Sequence, residues 1–300
     1  MSERDPLSGT AYRSVRRIGR GDLFEALHLE RGTSVAVKLL GGPAEGSPER
    51  MQLEARVLCR IDDPRIVDVF DVGETSGGQI FYAMELLEGR TLAEELKARR
   101  RLPLREARRV MLEVLDGLSA LHREGLVHRD LKPSNVFYCT ARGDRPRAVK
   151  LLELGVMKLS PAPGKAIAAL LRPRSARPAS RGAAMLTGSP RYLSPEQARG
   201  EEVDARSDVY AAGLLLYELI TGRGPFHDRQ GVGGALVAHI RDAPLPPSAV
   251  GACQTGIRER IPPELDRLVL RALEKRRDKR FQTAADFADA LRLSSRWGCG

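Results

Sequence analysis

Apolar positions fall in short runs through the first 85 residues and at helical spacing through much of the rest. Tyr12–Ile18 and Ala26–Leu29 flank a turn, and Val35–Leu40 follows the Arg31-Gly32-Thr33 turn as a third strand. Ser47 opens a helical stretch with Pro48 in its first turn and Leu53, Val57 and Leu58 on one face. Ile66–Val72 and Ile80–Leu86 read as further strands. Beyond Gly89 the period changes. Between Leu104 and Glu124, residues Val110, Met111, Val114, Leu115, Leu118 and Leu121 recur as one helical stripe. Helices are predicted over 207–221, 232–241, 263–274 and 283–293. Val149–Leu152 reads as a buried strand entering a turn at Glu153-Leu154-Gly155. The pattern predicts an α+β chain. A small β-rich lobe covers 12–86, a larger helical lobe covers 87–293, and the hinge lies near 85–90, with short tails at 1–11 and 294–300.

Residues 160–187 break the pattern. They are rich in Ala, Pro, Ser and Arg, with five basic residues and no acidic one. This composition predicts a long basic loop, either a plain insertion or a regulatory, substrate-facing segment. Ser175, Ser180 and Thr187 there, beside Arg174, Arg177 and Arg181, are candidate phosphorylation sites, because added phosphate would find guanidinium partners.

Composition changes this picture little. Apolar content of 42% and charged content of 29% are those of an ordinary globular chain. The net charge of +10 comes mostly from arginines scattered among acids, with no aromatic-interleaved basic stripe, which argues against a nucleic-acid partner. Cys59, Cys139, Cys253 and Cys299 are far apart and form no C-x-x-C pair, which fits a reducing compartment better than zinc or a disulfide scaffold. The N-terminal MSERDPLSGT is polar, and no apolar run reaches the roughly 18 residues that span a bilayer. A cytoplasmic location, away from the membrane, is expected.

The chemistry concentrates in VHRDLKPSNVF, 127–137. An aspartate, a lysine two residues on and an asparagine five residues on share one loop between apolar runs. Phosphoryl transfer to a hydroxyl needs these parts: a carboxylate for the hydroxyl proton, a cation for the transferring phosphate, and an amide oxygen for a metal.

With that loop, the chain resembles the eukaryotic-like (Hanks-type) bacterial serine/threonine protein kinases, over roughly residues 12–293. The resemblance implies the two-lobed protein kinase fold and transfer of the ATP γ-phosphate to serine and threonine hydroxyls of protein substrates. Asp130 would handle the hydroxyl proton, Lys132 the phosphate, and Asn135 a magnesium ion. Lys38 of VAVK would neutralise the α- and β-phosphates, with Glu54, sixteen residues later, as its partner. RIGRGDLFEALHL, 17–29, occupies the place of the glycine-rich loop. Ile18, Gly19 and Gly21 would approach the nucleotide, and Ala26 stands where a valine usually covers the adenine. Phe24 replaces the third glycine, at a point where the loop would close over ATP. In FYAMELLEG, 81–89, Met84 would back the adenine pocket and the backbone of Glu85 and Leu87 would pair with the adenine edge, while Ala36 and Phe137 sandwich the ring. GSPRYLSPEQARG, 188–200, resembles the substrate-binding end of the activation segment. Glu196 there would pair with Arg280, and Asp208 would accept backbone hydrogen bonds from the His128–Arg129 region.

Glu153 stands where the family has a metal-holding aspartate, and Leu154 fills an apolar slot beside Leu58 and His128. Magnesium demands oxygens at about 2.0–2.1 Å in near-ideal octahedral geometry. An extra methylene keeps the charge but displaces it, and a shift of about 1 Å can cost on the order of 10²-fold in rate. Two readings follow: an active, slow serine/threonine kinase, or a pseudokinase that acts as a scaffold or allosteric binding module.

Overall fold

The computed structural model describes residues 5–19, 21–40, 59–140, 148–152, 190–252 and 260–294. The predicted helix opened by Ser47, the Glu153-Leu154-Gly155 turn and the 160–187 loop lie outside them.

The N-terminal sheet has five antiparallel strands, β1 (Tyr12–Arg17), β2 (Leu23–His28), β3 (Ser34–Leu39), β4 (Val69–Glu74) and β5 (Ile80–Glu85), in the order β1-β2-β3-β5-β4. Residues directly opposite across antiparallel strands share a face. Ala36, Lys38, Tyr82 and Met84 therefore share one face, and Leu23 and Glu25 lie on it too, because Leu23 pairs with Lys38 and Glu25 with Ala36. The other face carries its own apolar cluster: Leu7, Tyr12, Phe24, Ala26, Val35, Val37, Leu39, Phe81 and Ala83.

Two sequence expectations are corrected by that register. Ala26 is fully buried in the outer cluster, on the opposite face from Ala36 and Met84, so it does not cover an adenine site. Phe24 also points outward. Its ring is 6% exposed, and the Arg17 guanidinium lies 5.3 Å from its centroid. A large apolar side chain at the third-glycine position is thus a core residue of the small lobe rather than an obstruction over the cleft.

The run Ile66–Val72 is divided between two sheets. The paired register with β5 starts at Val69. Before that, Ile66 bridges Leu151 in parallel, Val67 N–H donates to Leu151 O (3.0 Å), and Leu151 N–H donates to Arg65 O (2.7 Å). The run therefore ties the small lobe to the strand that leads towards Glu153.

The second lobe begins at β6 (Gly89–Thr91), which pairs with β7 (Val136–Cys139), and β7 pairs with β8 (Val149–Leu151). Gly89 has φ +146°, and a Cβ there would come 2.3 Å from Tyr138 O. Only glycine lets the end of the hinge back onto β7 so closely. Helix α1 (Leu92–Arg99) follows at once, opened by a capping box between Thr91 and Glu94 that the hydrophobic pattern alone does not reveal. Helix α2 (Leu104–Arg123) buries the predicted stripe without exception. After it come α3 (Pro195–Arg199), α4 (Ala205–Thr221), α5 (Gly231–Arg241), α6 (Pro247–Ala252), α7 (Pro263–Ala272) and α8 (Ala284–Leu293). The α4 helix is buried on nearly every side and packs against α2 and α7, as a helix apolar all round must. Asp204 caps it by accepting from Arg206 N–H at 2.9 Å, which starts the helix two residues earlier than expected. Among the described residues, no helix is long and apolar enough to cross a membrane.

Candidate active site

The loop 128–135 is built on α4. Asp208, in the first turn of that helix and 1% exposed, accepts from the backbone N–H of His128 (2.8 Å) and of Arg129 (2.9 Å). His122, from the last turn of α2, holds the same carboxylate through Nε2 at 2.8 Å. These bonds fix a peptide that would not choose this shape. Arg129 has φ +64°, a left-handed conformation that costs a non-glycine residue on the order of 1 kcal/mol. Gln197 of α3 adds a further tie, donating Nε2–H to Arg129 O at 2.7 Å. The backbone kink at Arg129 sets the direction of the next side chain, Asp130.

Asp130 is 9% exposed. Lys132 Nζ donates to its Oδ2 at 2.7 Å, and Asn135 Nδ2 donates to the same oxygen at 3.0 Å and to Asp130 O at 2.9 Å. Asn135, itself 2% exposed, sits at the end of a 3₁₀ turn, Pro133–Asn135, and its carbonyl receives Leu152 N–H at 2.8 Å. The end of β8, and so the approach to Glu153, is therefore hydrogen-bonded to the same turn that carries Asp130, Lys132 and Asn135. The spacing D-x-K-x-x-N becomes one cluster because the turn folds the asparagine back beneath the aspartate.

The nucleotide-side candidates divide. Ala36, Lys38 and Met84 share the inner face of the sheet, and Ala36 and Met84 belong to the main apolar core. Glu85 ends β5, and Leu87 follows within the three-residue link to β6, packed partly against the core. Phe137 lies in β7 opposite Lys150 of β8. Ile18 N–H closes the loop on Leu23 O at 2.8 Å. Gly19 has φ +66°, and at both Gly19 and Gly21 an added Cβ would meet no protein atom, so packing does not demand these glycines. Ala26 is not brought to this face. Glu54 and Glu153 lie outside the described residues.

The set of oxygens fits a hard divalent cation. Asn135 carries an amide whose nitrogen is committed to Asp130, which leaves its oxygen as the acceptor end. Among the described residues no group of three or more acidic, His or Cys side chains could hold a metal.

A second ion pair ties α3 to the segment that leads into α8. Arg280 Nη1 and Nη2 each donate to a Glu196 carboxylate oxygen at 2.8 Å, and Arg280 also gives Nε–H to Glu274 O at 2.7 Å. Ser207 Oγ donates to Glu196 as well. Burial alone would raise the Glu196 carboxyl, but the Arg280 guanidinium and the Ser207 hydroxyl outweigh it and hold the group below the ordinary carboxylate range. Both pairings expected for Glu196 and Asp208 are present. His122, Gln197 and Ser207 were not singled out in the sequence, because their roles depend on residues 86, 68 and 11 positions away.

Residues 12–290 match the family profile described as the protein kinase domain. The chain is 35% identical over 305 residues to the serine/threonine-protein kinase Pkn1 of Myxococcus xanthus, covering 98% of this chain and 40% of that protein. It is 38% identical over 293 residues to pkn2 of the same organism, covering 93% of this chain and 32% of the relative. It is also 35% identical over 286 residues to PknB of Mycolicibacterium smegmatis, covering 92% and 41%. The chain thus spans less than half the length of these curated relatives. With the family profile matched across both lobes and the Asp130 loop set on its Asp208 anchor, this chain belongs to the protein kinase domain family.

Proposed function

We propose that this chain is an ATP-dependent serine/threonine protein kinase. The observation that carries the reading is the convergence of Asp130, Lys132 and Asn135 on one turn, anchored through Asp208. In this mechanism Asp130 orients the hydroxyl of a serine or threonine side chain and takes its proton as the bond to phosphorus forms. Lys132, already within hydrogen-bond reach of that carboxylate, offers its ammonium to the oxygens of the phosphoryl group in transfer. Lys38 neutralises the α- and β-phosphates from the inner face of the sheet, with Glu54 fixing its direction. Asn135 and Glu153 would hold magnesium, which would supply charge neutralisation to the phosphates. The adenine ring would lie between Ala36 and Phe137, against Met84 and the backbone of Glu85 and Leu87. Protein acceptors and a location in the cytoplasm accompany this reading.

Of the two departures behind the pseudokinase reading, Glu153 and Phe24, the second is packed away from the cleft and so does not favour it. The test is transfer of labelled phosphate from ATP to the chain itself or to a generic acceptor protein. Lys38→Met should abolish transfer while the protein stays folded. Transfer that persists unchanged in Lys38→Met would overturn the role given to the lysine. A folded parent chain that transfers nothing under any divalent cation would overturn the kinase reading.

A further inference from the structure

Lys150 lies on β8, three residues before Glu153, and enters none of the roles above. Its ammonium is paired with the Glu85 carboxylate, and it also donates to Ile66 O at 3.3 Å. Glu85 is the last residue of β5, the point where the sheet passes into the link between lobes. Its carboxylate accepts from Asp68 N–H at 2.9 Å through the same Oε1 that meets Lys150, and its own N–H donates to Asp68 O at 3.0 Å. Three separate pieces of chain, the 66–68 segment, the end of β5 and β8, are thus tied together around one carboxylate and one ammonium. The two side chains are 31% and 17% exposed, so the pair is half-shielded from water.

The register adds a second observation. Lys150 pairs with Phe137 across β7–β8, so the two share a face of the short sheet. The lysine therefore spans from the strand beside the proposed adenine floor to the residue whose backbone would read the adenine edge. We infer that Lys150 is a positioning residue for the nucleotide: by gripping Glu85 and the Ile66 carbonyl it fixes the hinge backbone relative to Phe137 and β8. This deepens the kinase reading and rests on it. The physical basis is that a charge-assisted hydrogen bond at a joint removes freedom that a bound ligand would otherwise have to remove. Lys150 touches no reacting atom, so its effect belongs in nucleotide affinity and not in the chemical step.

The experiment titrates the 300-residue chain with ATP by calorimetry and measures steady-state constants with a generic acceptor protein, for the parent and for Lys150→Met, Glu85→Gln, the double variant and Lys150→Arg. Lys150→Met and Glu85→Gln should each weaken ATP binding and raise its KM by about tenfold, the scale of one charged hydrogen bond. The double variant should be no worse than either single, since both remove the same ion pair. The KM for the acceptor protein and kcat should stay within about twofold in Lys150→Met, and Lys150→Arg should recover ATP affinity to about the same margin. ATP affinity indifferent to Lys150→Met, or losses that multiply in the double variant, would overturn the inference and leave the kinase reading standing. A uniform loss of kcat and of both KM values, unrelieved by Lys150→Arg, would also overturn it, as the mark of general misfolding. A folded parent that binds no nucleotide overturns the kinase reading and this inference together.

Discussion

Glu196–Arg280 and Asp130–Lys132 are both carboxylate–cation pairs of the large lobe, yet they are built in opposite ways. Glu196 and Arg280 are 1% and 0% exposed, meet through two parallel 2.8 Å bonds, and have their remaining polar atoms taken up by Ser207, Arg206 O, Glu274 O and Lys275 O. Asp130 and Lys132 are 9% and 16% exposed and share a single 2.7 Å bond. The rigidity around Asp130 comes instead from the backbone, through Asp208, Gln197 and Asn135. A buried pair has no water to fall back on and must satisfy every donor. A pair proposed to act on a substrate must keep its charges available, and here the fold positions the peptide beneath them and leaves both side chains more exposed than those of Glu196 and Arg280.

Four experiments would break or sharpen this contrast. Asp130→Asn keeps the hydrogen bonds around the loop but removes the base, so phosphate transfer should fall by about 10³-fold, roughly 4 kcal/mol of barrier, with unchanged thermal stability. A marked loss of stability would show that Asp130 is a structural charge like Glu196. Arg280→Met should do the reverse. Leaving Glu196 buried and unpaired should cost about 3–5 kcal/mol in denaturant unfolding, and the double change Arg280→Met with Glu196→Leu should cost less. A double variant as unstable as the single one would mean that the other Arg280 bonds, not the pair, hold the lobe.

Glu153→Asp tests the metal role proposed for Glu153. Shortening the side chain should raise transfer by something near 10²-fold, about 2.7 kcal/mol, with little change in stability. A slower Glu153→Asp variant would show that the cleft is adapted to glutamate.

The smallest effect concerns acid. His239 on α5 is 1% exposed and packed edge-on against Phe226 (5.1 Å) and Tyr210 (5.9 Å). Burial, reinforced by the nearby Lys275 ammonium, lowers it from 6.5 to about 3. Between those values the unfolded chain binds the proton that the folded chain refuses, so stability is lost as pH falls from 6.5 towards 3. Glu196, held low, acts in the same direction at more acid pH, since its contribution is present above the ordinary carboxylate range and is lost as pH falls through its folded value. His239→Gln should flatten the slope of unfolding free energy against pH in that window by up to about 1.4 kcal/mol per pH unit. An identical slope in the variant would mean that carboxylates alone set the acid limb.

Much of the large lobe was legible because its period is unambiguous. The stripe from Val110 to Leu121 in α2 allows one buried face, and 207–221 is apolar all round. Helix α1 carried its own signal in Thr91-Leu92-Ala93-Glu94, a capping box that apolar spacing does not show. The small lobe was less legible. Strands have period two, and a shift of one residue exchanges the faces. Ala26 and Leu23 are both apolar residues of β2, and only the pairing of Leu23 with Lys38 decides which of them looks into the cleft.

The sequence by itself determined the cluster proposed to be catalytic. Asp130, Lys132 and Asn135 lie within six residues, and a single local turn brings them together. It determined the two-lobed order for the same reason, since hydrophobic period is a local property. What only the tertiary structure decided are the contacts between distant segments: His122 beneath Asp208, Gln197 on Arg129, the division of Ile66–Val72 between two sheets, and Lys150 against Glu85. None of these leaves a pattern along the chain, because each partner is an ordinary polar or apolar residue whose role is fixed only by what the rest of the fold packs beside it.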